Sequence, residues 1–135
     1  MKRLFLDDVR NPGDCVLYMK KNDVYYETDW DIVRNYNDFV KYITENGVPD
    51  EISFDHDLAD EHYDPSMYVS SEEYGKRYDK FREKTGYDCA KWLTDYCVEN
   101  VIPLPTCYVH SMNPVGRDNI WSVILSADRV MKRVM

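Results

Sequence analysis

The sequence predicts an α/β layered domain with a mostly parallel central sheet. Short apolar runs of strand length alternate along the chain with segments whose apolar residues recur at helical spacing. At 135 residues the chain suits one domain, residues 1–135, with a single sizeable core. Three of the apolar runs end in ionisable residues: Asp7-Asp8, Asp55-His56-Asp57 and His110-Ser111. Parallel sheets bind their ligands at the carboxyl ends of their strands, so these three ends should share one rim.

Taken in order, "RLFLD" at residues 3–7 reads as a buried strand, broken by the turn signal Asn11-Pro12-Gly13. "CVLYMKKNDVYYETD" resembles two short strands around the polar turn 20–23, a hairpin. "WDIVR" is a further core strand. Asn35 is placed to cap a helix carrying Phe39, Val40 and Ile43, which Gly47 ends. "EISFDHDL" is the next strand. Residues 59–85 are polar, Tyr-rich and strand-poor. Ser70 and Glu73 there form a candidate capping box for a charged helix, whose mixed charges read as a solvated face, with a lid over a site as the functional alternative.

Thr85-Gly86-Tyr87-Asp88 opens a clearer helix, with Cys89, Leu93, Tyr96 and Cys97 on one face. Pro103 and Pro105 bar helix until the strand "TCYVHS". "MNPVGRDN" reads as a turn. Ile120, Ile124, Ala127 and Met131 then mark the core face of a last helix.

Composition narrows the function. Apolar residues make up 44% and charged residues 31% of the chain, an ordinary globular balance. No apolar run is long enough to span a bilayer, and "MKRLFLDD" reads as a strand rather than a signal peptide. The expected compartment is the cytoplasm. Cysteines 15, 89, 97 and 107 form no CxxC pair or zinc spacing and read as free core thiols. The net charge, 17 − 25 = −8, disfavours general DNA or RNA binding. A small phosphorylated ligand needs only a local arginine, a helix terminus or a bound cation.

The rim holds such chemistry. His56 and His110 could supply a general acid and a general base near neutral pH. Clustered carboxylates could bind Mg²⁺ or Mn²⁺ instead. Arg10 offers a planar fork for phosphate. Asn113-Pro114 precedes a helix whose first N–H groups could hold a phosphate, with Ser111 or Asn113 as a further donor. Each group alone has a plainer reading: turn chemistry for Asp7-Asp8, an N-cap for Asn113, a salt bridge for Arg10. Three ionisable strand ends together are a poor way to build a stable rim and a good way to build a site.

The segments "LFLDDVRNP", "EISFDHDLAD", "TGYDCAKWL" and "YVHSMNPVGRDNI" resemble the cyclic-phosphate-processing receiver-like domain family, a relative of response-regulator receivers. Arg34-Asn35 stands where the family has Arg-Thr, and residues 14–29 and 60–84 look like insertions. The resemblance implies a receiver-like three-layer α/β/α fold and hydrolysis of a cyclic phosphate on a small nucleotide or an RNA end. Family members also occur in phages, where clearing a nucleotide immune signal is a sensible use. The implied catalytic residues are His56, His110, Asp55 and Asp57. Arg10, Arg34, Ser111, Asn113 and Asn119 would bind phosphate or substrate. Asp7, Asp8 and Asp55 would hold any Mg²⁺ or Mn²⁺. Two rival readings are a nucleotide sponge without turnover and a phospho-accepting receiver. The receiver reading lacks the lysine that a receiver carries at the end of its last strand.

Overall fold

The structure, a computed structural model, describes residues 1–19, 23–26, 29–58 and 84–134. Strands β1 (Arg3–Leu6), β2 (Trp30–Val33), β3 (Glu51–Phe54) and β4 (Thr106–Val109) form one parallel sheet in the order β2-β1-β3-β4. The helices are α1 (Pro12–Cys15), α2 (Tyr36–Asn46), α3 (Gly86–Asn100) and α4 (Pro114–Val134). The sheet is thus the expected receiver-like α/β architecture. No helix among the described residues is long and apolar enough to cross a membrane.

Strand alternation sorts the core into two layers. Leu4, Leu6, Ile52, Phe54 and Val109 face the main cluster, with Phe39 and Ile43 of α2, Cys89 and Leu93 of α3, and Ile120 and Ile124 of α4. On the opposite face, among the described residues, Phe5 packs with Cys15, Tyr25 and Trp30. The four cysteines carry free thiols.

Local signals explain the helix ends. Asn35 Oδ1 accepts the Asp38 N–H at 2.8 Å, and Gly47 terminates α2 at φ +86°. Thr85 and Asp88 form a reciprocal capping box at α3. The last helix starts earlier than expected. Residues 114–119, expected within a turn, are its first turns, because Pro114 at N1 needs no N–H partner and Asn113 Oδ1 accepts the Gly116 N–H at 3.1 Å.

The hairpin expected over residues 15–29 is also corrected. Among the described residues, Cys15 closes α1 and 16–18 continue as a turn, with Met19 N donating to Cys15 O at 3.0 Å. Asp23–Tyr26 is a 3₁₀ turn. The apolar positions 15, 16, 18 and 19 have helical rather than alternating spacing, and only one side of them has a sheet face to cover. The helix expected from Ser70, and the lid, fall on residues outside those described.

The first connection, from β1 to β2, runs one way along the sheet, and β2 to β3 returns past β1. The crevice where the order reverses lies between the ends of β1 and β3. Gly86 fixes its floor. Its N–H donates to His56 O at 2.8 Å, and a Cβ there would overlap the Asp55 carbonyl oxygen. Gly86→Ala is therefore expected to destabilise the fold by roughly 1–3 kcal/mol, as overpacked sites do, measured by urea unfolding. Unchanged stability would show that α3 does not seat against the Asp55 loop.

Candidate functional site

The sheet register continues one residue past each strand. Asp7 N donates to Val33 O at 3.2 Å, Asp55 N to Leu6 O at 2.9 Å and His110 N to Phe54 O at 2.9 Å. Asp7, Asp55 and His110 therefore stand abreast, fully or almost fully buried. One atom from each lies within 4.8 Å of the others. The three strand ends expected to share a rim do share it.

Asp7 is heavily paired. Its Oδ1 accepts the backbone N–H groups of Val9 at 3.0 Å and Arg10 at 2.8 Å. Its Oδ2 lies 3.0 Å from His110 Nε2 and 3.3 Å from Arg10 Nε. Burial alone would raise its pKa, but the His110 hydrogen bond and the two N–H bonds outweigh burial and hold it at about 2.

Asp55 is the converse. The Arg10 Nη2 is 3.8 Å from its Oδ1, and its buried Oδ2 has no hydrogen-bond partner among the described residues. Burial first, then the Asp7 charge, push its carboxyl well above the usual range; Arg10 and the His56 backbone N–H only partly oppose this.

His110 has both ring nitrogens engaged, Nδ1 with Ser53 Oγ at 2.6 Å and Nε2 with Asp7. Its ring stacks on Phe5 at 4.4 Å. Burial holds it below the ordinary histidine range, against the pull of Asp7.

The other expected residues divide into two groups. His56 is buried with Nδ1 3.1 Å from Asp57 Oδ1, its ring seated against Gly116 of α4, where a Cβ would clash. Asn113 Nδ2 donates to Asp57 Oδ2 at 3.2 Å, and Ser111 Oγ accepts the Asn113 N–H at 3.1 Å. These four residues tie the β3 and β4 loops together. Arg34 grips the β1 loop from behind, donating to Asp7 O at 3.1 Å, Arg10 O at 2.6 Å and Asn11 Oδ1 at 2.8 Å. Half-buried Asp8 lies outside the three-residue cluster. Asn119 is half-buried in the second turn of α4, and no hydrogen bond joins it to the cluster among the described residues.

A model of the cyclic-phosphate processing receiver domain family matches residues 2–126. The chain belongs to this family. Comparison with curated proteins and with solved structures finds no match. In this receiver domain the cluster of Asp7, Asp55 and His110 could hold a metal ion. The donors fit a hard divalent cation through carboxylate oxygen, because Asp55 Oδ2 is buried without a partner among the described residues. His110 could ligate only by giving up Ser53 or Asp7.

Three residues of the receiver domain's rim escaped the sequence reading. Tyr18 OH donates to His110 O at 2.7 Å and accepts from Arg10 Nη1 at 2.6 Å, bridging two loops. Ser53 and Tyr25 stand behind His110, with 2.7 Å between their oxygens. The one available signal was Ser53 itself, a polar residue inside an apolar strand.

The two aspartates should oppose one another in stability. Asp7, held low, contributes stability that is present above its unfolded value of 3.8 and lost as pH falls through about 2. Asp55, held high, contributes stability that is present at acid pH and lost as pH rises through its folded pKa. At pH 7, Asp7→Asn should therefore cost on the order of 2 kcal/mol. Asp55→Asn should raise Tm at pH 7, with the gain shrinking towards pH 4. Thermal melts across that range check both; a lower Tm for Asp55→Asn at pH 7 would contradict the reading.

Proposed function

We propose that the chain is a phosphodiesterase that opens a cyclic phosphate on a small nucleotide or an RNA end. One observation carries the reading. Arg10, part-exposed, lies between Asp7 and Asp55 at the crevice, beside a carboxylate whose Oδ2 has no hydrogen-bond partner among the described residues. A guanidinium there recognises a phosphate by charge and by paired hydrogen bonds. The acidic chain favours a small substrate, because its net charge of −8 opposes a long polyanion.

In the reaction, water oxygen bonds to phosphorus and one ring P–O bond breaks. One proton leaves the water and one reaches the departing oxygen, giving a phosphate monoester. His56 and Asp57 have the form of a base with its orienter: Asp57 accepts from His56 Nδ1, and Asn113 holds Asp57. Asp55, next in the chain, is the second proton-transfer group. Arg10 binds the phosphate. Asp7 fixes Arg10, and His110 fixes Asp7. Alternatively, a divalent ion held by Asp7 and Asp55 would neutralise charge on the phosphate and polarise its P–O bonds in place of proton transfer by Asp55.

The test is incubation with cyclic mono-, di- and oligonucleotides and with RNA ending in a cyclic phosphate, with and without Mg²⁺ or Mn²⁺. The expected result is multiple turnover of one class to a monoester. Arg10→Ala and Asp55→Asn should each cut kcat/KM by roughly 10²–10⁴ with unchanged circular dichroism. Saturable binding without product would make the chain a sponge. A phosphoryl group on Asp55 after exposure to acetyl phosphate, without turnover of the panel, would make it a phosphoacceptor.

A further inference from the structure

Behind the rim, four buried groups form a single file. Tyr25 OH is 2.7 Å from Ser53 Oγ, Ser53 Oγ is 2.6 Å from His110 Nδ1, and His110 Nε2 is 3.0 Å from Asp7 Oδ2. All four side chains are at most 2% exposed. The file runs along the Phe5 face of the sheet to the crevice. The register puts Phe5, Ser53 and Tyr108 in one row, and Asp7, Asp55 and His110 extend the same face one pleat further.

The two ends of this file fix the direction of every bond in it. Ser53 is the one hydrogen-bond partner of the Tyr25 hydroxyl among the described residues, so the Tyr25 proton must go to Ser53 Oγ or be buried unpaired. Ser53 must then donate its own proton to His110 Nδ1. At the other end Asp7 already accepts from Val9 N and Arg10 N and pairs with the Arg10 guanidinium at 3.3 Å, as an ionised carboxylate does. A bare nitrogen facing it would repel, so Nε2 must carry the imidazole proton. Reversing any one bond leaves an unpaired hydroxyl or two acceptors face to face.

We propose that Tyr25 and Ser53 are positioning residues. Through this one-way chain they hold His110 as its Nε2–H tautomer, and so hold Asp7 where it fixes Arg10. The claim that this matters for turnover rests on the phosphodiesterase reading; the tautomer itself does not.

Tyr25→Phe keeps the ring packing against Phe5 and Trp30 while removing the hydroxyl. Ser53→Ala removes the link to His110. The full chain, labelled with ¹⁵N in its histidines, is read by long-range ¹H–¹⁵N NMR at pH 7. His110 should show a protonated Nε2 and an unprotonated Nδ1 that accepts a hydrogen bond. In Ser53→Ala the Nδ1 resonance should move downfield to the value of a free acceptor, and in Tyr25→Phe it should move part of the way.

For the substrate that the panel identifies, kcat should fall roughly 10–100-fold in both variants with KM little changed, as for residues acting through a site group. A protonated Nδ1 in the parent chain, or an Nδ1 unmoved in Tyr25→Phe, would overturn the proposal even if Ser53→Ala failed to fold. Altered resonances with unchanged kcat would overturn the positioning role. If the parent chain turns nothing over, the failure belongs to the proposed reaction, and the resonances still decide the chain of bonds.

Discussion

Two carboxylates lie side by side in a buried rim that supplies more donors to one than to the other. Asp7 takes two backbone N–H groups and the His110 imidazole and pairs with the Arg10 guanidinium at 3.3 Å; Asp55 has the His56 backbone N–H, a guanidinium nitrogen at 3.8 Å and an Oδ2 without a partner among the described residues. Like charges at such separations repel strongly when water is excluded. Left to relax, the loops would part and hydrate both groups. The rest of the site prevents this. Arg34 clamps the β1 loop, Tyr18 bridges Arg10 to the β4 loop, and Gly86 lets α3 press against the Asp55 backbone.

Such a rim is a local cost carried by the rest of the fold. A buried group without a partner costs on the order of 1–3 kcal/mol, and more when charged. Each fully buried Phe, Leu or Ile contributes roughly 1.5–3 kcal/mol in the opposite sense. The main cluster, which runs through β1, β3, α2, α3 and α4, holds enough of them to offset one strained rim. It also lies directly under the strands whose ends make that rim, so the crevice cannot open without disturbing the core.

How much of this was legible depended on the kind of signal. The strand ends were legible because an apolar run that stops in acid or imidazole announces both its length and its rim. Asn35, Gly47 and Thr85 were legible because capping chemistry is local. Residues 15–19 and 23–26 have the apolar density of strands, but Cys15 and Tyr25 cover Phe5 instead, and neither stretch is a strand. The partnership of Tyr25, Ser53 and His110 spans up to 85 residues of sequence and appears only once the register is known. Arg34 was assigned to substrate, but its guanidinium is committed to loop carbonyls, and local sequence does not distinguish those roles.

The end of β4 shows what the arrangement favours. A lysine there would bring a positive charge beside Asp55 and pair with it. His110 instead has its two nitrogens committed to Ser53 and Asp7, so Asp55 remains uncompensated from that side. Its open oxygen is then available to whatever enters: a proton, a cation or a ligand hydroxyl. A phosphate drawn in by Arg10 is anionic and would sit beside this carboxylate, raising its proton affinity further. By linkage the protonated form of Asp55 then binds the phosphate better than the ionised form. An anionic substrate would in this way load the acid that its own leaving oxygen needs, a coupling that a lysine-neutralised aspartate could not provide.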